Sequence, residues 1–138
     1  MSDWNQKIIE EFRANEGRVG GNFEGRTLLL LHHTGAKSGA EYVNPLAYQR
    51  LSDDSVAIFA SAGGAPKHPD WFYTLVAHPD VKVEIGTETF SARARVAEGA
   101  EREAIWEKQK QDWPGFADYE EKTAGIREIP VVVLDLEG

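Results

Sequence analysis

The 138-residue chain contains no cysteine. Disulfides, a thiolate nucleophile and cysteine-ligated metals are therefore excluded. No apolar run approaches the ~20 residues that cross a bilayer. Met1–Asn5 lacks the basic and apolar regions of a signal peptide, so a cytoplasmic protein is expected. Positive charge is scarce, with 15 Lys and Arg against 23 Asp and Glu and a net charge of −8. That argues against nucleic acid and against an anionic membrane surface as partners. An anionic small molecule remains open if a local cationic pocket receives it, which directs attention to lysines and arginines near glycine loops. The length suits one domain over 1–138, large enough to fold without staples.

Helical spacing of Trp4, Ile8, Ile9 and Phe12 predicts an amphipathic N-terminal helix from about Asp3 to Ala14. Its polar face is not basic, so it is expected to pack on the domain rather than on lipid. Thr27–His33 reads as a strand covered on both faces. His32 and His33 are adjacent and point to opposite faces, which is poor spacing for one metal ion. Further strands are expected at Val43–Arg50, Val56–Ser61, Asp80–Ile85, Thr89–Val96 and Pro130–Leu136, with a polar turn over Leu51–Ser55 and a tight turn at Gly86-Thr87. Helices are expected at His68–His78, Glu98–Asp112 and Phe116–Lys122. About six strands, mostly hairpin-linked, with three or four helices point to an α+β fold: a small, mostly antiparallel barrel with helices outside it.

The chain is organised around Ser61-Ala62-Gly63-Gly64-Ala65-Pro66-Lys67-His68-Pro69-Asp70-Trp71. A strand leads in and a helix leads out, with two glycines where the backbone bends. Such a turn directs N–H groups at one spot, a seat for a phosphate or for the polar edge of a flat ring. It is equally a glycine turn with a helix cap. Thr34-Gly35-Ala36-Lys37-Ser38-Gly39 is a second glycine turn. It lacks the Gly-Lys pair of a nucleoside-triphosphate loop and an extended run follows it, so that reading is excluded. Lys37 and Ser38 can still meet a phosphate or carboxylate, or belong to a solvated hairpin. Trp113, Phe116 and Tyr119 share one side of a short helix, a pattern that serves a core as readily as a ligand.

In this order the segments resemble the deazaflavin-dependent nitroreductase family, the F420H2-dependent reductases. The resemblance rests on Thr34–Gly39, Asn44-Pro45-Leu46-Ala47-Tyr48, Ser61–Trp71, Trp113–Tyr119 and Arg127-Glu128-Ile129-Pro130-Val131. It implies a split β-barrel of the FMN-binding type that holds coenzyme F420 and passes a hydride to an electron-poor acceptor: a quinone, a coumarin-type unsaturated lactone or a nitro compound. It further implies that Lys37, Ser38, Pro45, Leu46, Ser61, Gly63, Gly64, Lys67, His68 and Trp71 meet the coenzyme. Tyr48, Trp113, Phe116 and Tyr119, with Ser61 and Trp71, would shape the acceptor side. Tyr119 and Ser61 are the candidate proton donors, with solvent as the alternative.

The chain departs from relatives at Ala36, Tyr42 and Ala62, where many carry a cation. Phe116 stands where a tyrosine is frequent and cannot donate a proton, which favours bulky, flat, apolar acceptors over nitroimidazoles. Two alternatives follow: an FMN-dependent split-barrel oxidoreductase, and a flavin- or deazaflavin-binding protein without turnover. A homodimer is a further expectation, because barrels of this kind often pair.

Overall fold

The computed structural model of the chain describes residues 3–14, 28–35, 39–61 and 64–137. Lys37, Ser38 and Gly63 lie outside the described residues, as does the side chain of Trp4. The elements are α1 (Asp3–Ala14), β1 (Leu28–Thr34), β2 (Glu41–Ser52), β3 (Ser55–Phe59), α2 (Asp70–Ala77), β4 (Asp80–Ile85), β5 (Glu88–Val96), α3 (Gly99–Asp112), α4 (Gly115–Thr123) and β6 (Val131–Glu137).

All six strands pair antiparallel and close into a barrel in the order β1-β2-β3-β6-β5-β4. Closure leaves no open sheet edge. It also explains the runs of consecutive apolar residues, because inward and outward faces are both covered. Leu29 and Leu31 join Val56, Ile58, Val83, Val132 and Leu134 in the barrel core. Their neighbours point the other way. Leu28 and Leu30 pack under Ile9 and Phe12 of α1. Ala57, Phe59, Val131 and Val133 pack under Ile105 and Trp106 of α3 and Phe116 of α4. The period-2 alternation of a strand thus feeds two cores from one sequence run.

Element ends fall within two residues of the sequence expectation, and two of the differences have a clear physical cause. Leu51–Ser55 is largely strand, not turn. β2 runs to Ser52, β3 starts at Ser55, and only Asp53-Asp54 turns. The register shifts between Arg50 and Ser52, and the Ser52 and Ser55 hydroxyls bond at 2.9 Å. A bulge beside a two-residue turn satisfies the backbone of these polar residues within the ladder. α2 begins at Asp70, two residues later than expected, because Pro69 takes the extended N-cap conformation with ψ 153°.

Polar side chains fix the helices. Gln49, buried on β2, donates through Nε2 to the Ile105 carbonyl at 3.1 Å and to Gln109 Oε1 at 3.2 Å on α3. Arg13 of α1 donates through Nη2 to Glu84 Oε2 on β4 at 2.8 Å. His32 bridges Glu84 and Glu41, at 2.6 and 3.1 Å. The opposite orientation expected of the adjacent histidines is observed. His33 turns inward, 5% exposed, with Nε2 2.6 Å from Asn44 Oδ1 and Nδ1 2.7 Å from Thr74 Oγ1. This buried chain ties β2, at Asn44 beside Pro45, to α2. No helix among the described residues is long and apolar enough to cross a membrane.

Candidate active site

The β3–α2 loop is where the sequence places its site, and three segments converge on it. The first is the loop itself. Gly64 is buried and has φ +86°, the left-handed conformation that glycine adopts at least cost. Its N–H donates to the Ser61 carbonyl at 2.9 Å. The second is α4. A Cβ on Gly64 would meet Lys122 Cδ at 2.8 Å and Tyr119 Cα at 3.4 Å. The close approach that the glycine allows is therefore to α4, and it brings Tyr119 beside the loop. The third is the link from α4 to β6, which carries Arg127.

Arg127 is the residue that sequence reasoning left without a role. Its Nε donates to the Ala65 carbonyl at 3.0 Å, Nη1 to the Ala60 carbonyl at 3.0 Å, and Nη2 to the Ser61 carbonyl at 2.9 Å. Nη1 also lies 3.0 Å from His68 Nδ1. A guanidinium only donates, so His68 Nδ1 is the acceptor and the ring carries its proton on Nε2. Burial, and then the charge of Arg127, hold His68 below the ordinary imidazole range. The ring is neutral at pH 7 and rests against Phe72 and Tyr73, with centroids at 4.9 and 5.9 Å. Burial also pulls Arg127 below the ordinary guanidinium range, offset in part by Tyr73. Arg127 opens the Arg127–Val131 segment that helps carry the family resemblance, but that segment assigned it no partner. Nothing local tells which loop it reaches.

The other expected residues divide by burial. Ser61 is buried, and its carbonyl is engaged by both Arg127 and Gly64. Lys67 is exposed. Trp71, 6% exposed, belongs to the barrel core. Pro45 sits opposite Leu30 on β1 and is half-buried, whereas Leu46 and Tyr48 are partly buried against the barrel core. Phe116, 5% exposed, is the hub of an aromatic cluster. Its ring meets those of Phe59, Trp106, Trp113 and Tyr119 at 5.4, 6.0, 5.4 and 5.2 Å. Trp113 and Tyr119 flank it and are half-buried. Within this aromatic triplet Phe116 is core, and Trp113 and Tyr119 pack against that core while keeping part of their surface exposed.

Of two clefts, one lies away from this convergence and the other touches it only through Arg127. One of about 380 Å³ is lined by His33, Thr34, Asp80, Lys82 and Ser91. Another of about 530 Å³ is lined by Arg102, Trp106, Glu120, Ile126 and Arg127. Neither is lined by Ser61, Gly64 or Tyr119. The convergence is therefore defined by its chemical groups rather than by either cleft. They suit a flat, anionic heteroaromatic ligand. Arg127 has no carboxylate partner among the described residues. The His68 Nε2–H is without a hydrogen-bond partner among them, and half-buried aromatic surface lies on the α4 side.

The sequence profile of the F420H(2)-dependent quinone reductases matches residues 4–136. The chain belongs to that family. It is an F420H2-dependent oxidoreductase, and F420 is its coenzyme rather than the FMN that the residues left open. An F420H(2)-dependent quinone reductase of Mycobacterium tuberculosis is 34% identical over 127 residues, covering 89% of this chain and 83% of the relative. The solved structure of an F420-H2 dependent reductase, FDR-A, is 38% identical, with a TM-score of 0.71 over 78% of this chain and 93% of that one. A structure described as a domain-swapped dimer is 33% identical, with a TM-score of 0.73 over 96% and 98% of the two chains. The split-barrel expectation holds in this enzyme: six antiparallel strands close the barrel and four helices lie among the described residues.

Proposed function

We propose that this enzyme reduces quinones at the meeting point of the β3–α2 loop, the Asn44–Tyr48 stretch of β2 and α4. The observation that carries this reading is the Gly64–Tyr119 approach. It sets half-buried aromatic surface against a loop backed by an un-neutralised arginine. When bound, F420H2 supplies a hydride. The protein holds ring and acceptor face to face, excludes water and manages charge.

In this reading Pro45 and Leu46 lie along the ring, and Gly63 and Gly64 let the backbone approach it. Lys37, Ser38 and Lys67 meet the phosphate or the acidic tail. His68 donates from Nε2. Trp71 and Phe116 are buried and support the site from behind, while Tyr48, Trp113 and Tyr119 face the acceptor. Tyr119 Oη gives the proton that the reduced acceptor takes up, with Ser61 Oγ as the second candidate. A quinone is favoured over a nitro compound or a coumarin-type lactone because flat apolar rings suit the Trp113–Tyr119 surface, and because quinone reduction is named in the family description. The relative described as a domain-swapped dimer motivates a homodimer here as well.

The test is a titration with F420H2 and, in parallel, FMN, followed by addition of menadione, a nitroimidazole or a coumarin. Tight F420H2 binding with fastest oxidation by menadione is the expected result. Binding without oxidation by any acceptor would instead favour the carrier reading.

A further inference from the structure

Arg127 lies on the link between α4 and β6, yet its four acceptors among the described residues all belong to the segment after β3. Three are backbone carbonyls and the fourth is a neutral imidazole. Among the described arginines Arg50 stands exposed to solvent, and the contrast is with the ion-paired ones. Arg13 pairs with Glu84, Arg93 with Asp80, Arg95 with Glu101 and Asp135, and Arg102 with Glu103 and Glu128. Each is neutralised where it stands. Arg127 spends its donors on carbonyl dipoles and keeps its charge uncompensated among the described residues. A half-buried cation solvated only by dipoles raises the local potential and favours an anion nearby. In a chain of net charge −8, such a cation offers an anionic ligand a local positive potential.

The His68 contact adds direction. A free imidazole exchanges its proton between two nitrogens. Here Nη1 of Arg127 occupies Nδ1 at 3.0 Å, so Nε2 keeps the proton. The Phe72 and Tyr73 rings fix the imidazole plane.

We propose that Arg127 is the positioning residue of the coenzyme loop: it holds the carbonyls of Ala60, Ser61 and Ala65 in one arc and locks His68 as an Nε2–H donor. The loop thereby presents one oriented N–H and one uncompensated positive charge to the anionic deazaflavin coenzyme. This rests on the reading of the loop as the seat of F420H2, and the experiment separates the two.

The tautomer is read without coenzyme, by ¹⁵N NMR of imidazole-labelled protein at pH 7.5. The wild type is expected to show His68 with a protonated Nε2 and a bare Nδ1. Arg127→Gln removes the charge and returns His68 to a tautomer mixture. It also raises the F420H2 dissociation constant by about tenfold or more, the scale of one charge-assisted hydrogen bond, and flattens its salt dependence. Arg127→Lys retains the salt dependence but not the single tautomer. A purely structural clamp would lower the melting temperature of both variants and leave the salt dependence of binding unchanged. A wild-type tautomer mixture, or an unchanged dissociation constant in Arg127→Gln, overturns the proposal. If Arg127→Gln does not fold, His68→Phe keeps the three carbonyl bonds and decides the donor role. Weaker binding with intact salt dependence supports it, and unchanged binding overturns it. Wild-type protein that binds no F420H2 overturns the coenzyme seat and the ligand half of the proposal together, while the spectrum still decides the tautomer.

Discussion

Gly64 and Tyr119 are in backbone-level contact: a methyl group on Gly64 would stand 3.4 Å from Tyr119 Cα and 2.8 Å from Lys122 Cδ. Loop and helix α4 are thus fitted through an absent side chain. Gly64→Ala must strain a φ of +86° and push Lys122 aside. A loss of about 1–3 kcal/mol is expected, the range for a non-glycine residue held in this region. Urea unfolding measures it. F420H2 affinity should fall as well, because the loop proposed to receive the coenzyme moves with the strained Gly64 backbone. A variant with wild-type stability and affinity would show that the fit has no consequence.

Tyr119→Phe removes the hydroxyl and keeps the ring beside Phe116, 5.2 Å away. If Tyr119 donates the proton, kcat with menadione should drop by about 10²-fold, the lower end of general-acid contributions. Coenzyme affinity should stay put. Stopped-flow oxidation of F420H2 makes the comparison. An unchanged kcat would hand the role to Ser61 or solvent.

His33 gives the fold a pH dependence of known sign. Burial is the main cause that holds it below the ordinary imidazole range, opposed by the Asn44 hydrogen bond and helped by the charge of His32. The unfolded chain, with a histidine near 6.5, takes up the proton first as pH falls. Stability from this group is complete above about pH 6.5 and declines as pH drops from there towards the lower folded value. His68 shifts in the same direction. Glu84, held low chiefly by its hydrogen bond from Arg13, acts only at more acid pH. Denaturant midpoints between pH 7.5 and 5 should therefore fall, and less steeply in His33→Gln. Equal slopes for the two proteins would remove His33 from the account.

Phe12 is 1% exposed and packs with Ile9 over Leu28 and Leu30. Phe12→Ala should cost about 3–5 kcal/mol, the range for deleting a buried phenylalanine ring. A melting temperature within a degree or two of wild type would mean that α1 is a loose appendage. Retained F420H2 binding in the folded fraction would show that α1 serves the barrel rather than the coenzyme.

Local pattern and spacing alone determined the barrel. The consecutive apolar residues Leu28–Leu31 state that both faces of this strand are covered, whatever covers them. The hairpin turn at Gly86 and the adjacent histidines on opposite faces are short-range consequences of backbone geometry, legible residue by residue. The family motifs were legible in the same way.

The partners were not. Phe116 and Tyr119 read alike on a helix wheel. Only the packing of α3 against β3 and β6 buries the first among four rings and leaves the second beside the loop. Gly64 announced a sharp bend, but what it yields to is α4. Arg127 stood in a family segment without a stated partner, because an arginine before a strand is consistent with solvent, an ion pair or a ligand. Its acceptors were selected when closure of the barrel laid β6 along β3 and brought the ends of both strands together. Periodicity records which way a side chain faces. What it faces is set by contacts between distant segments, and those exist only once the sheet has closed.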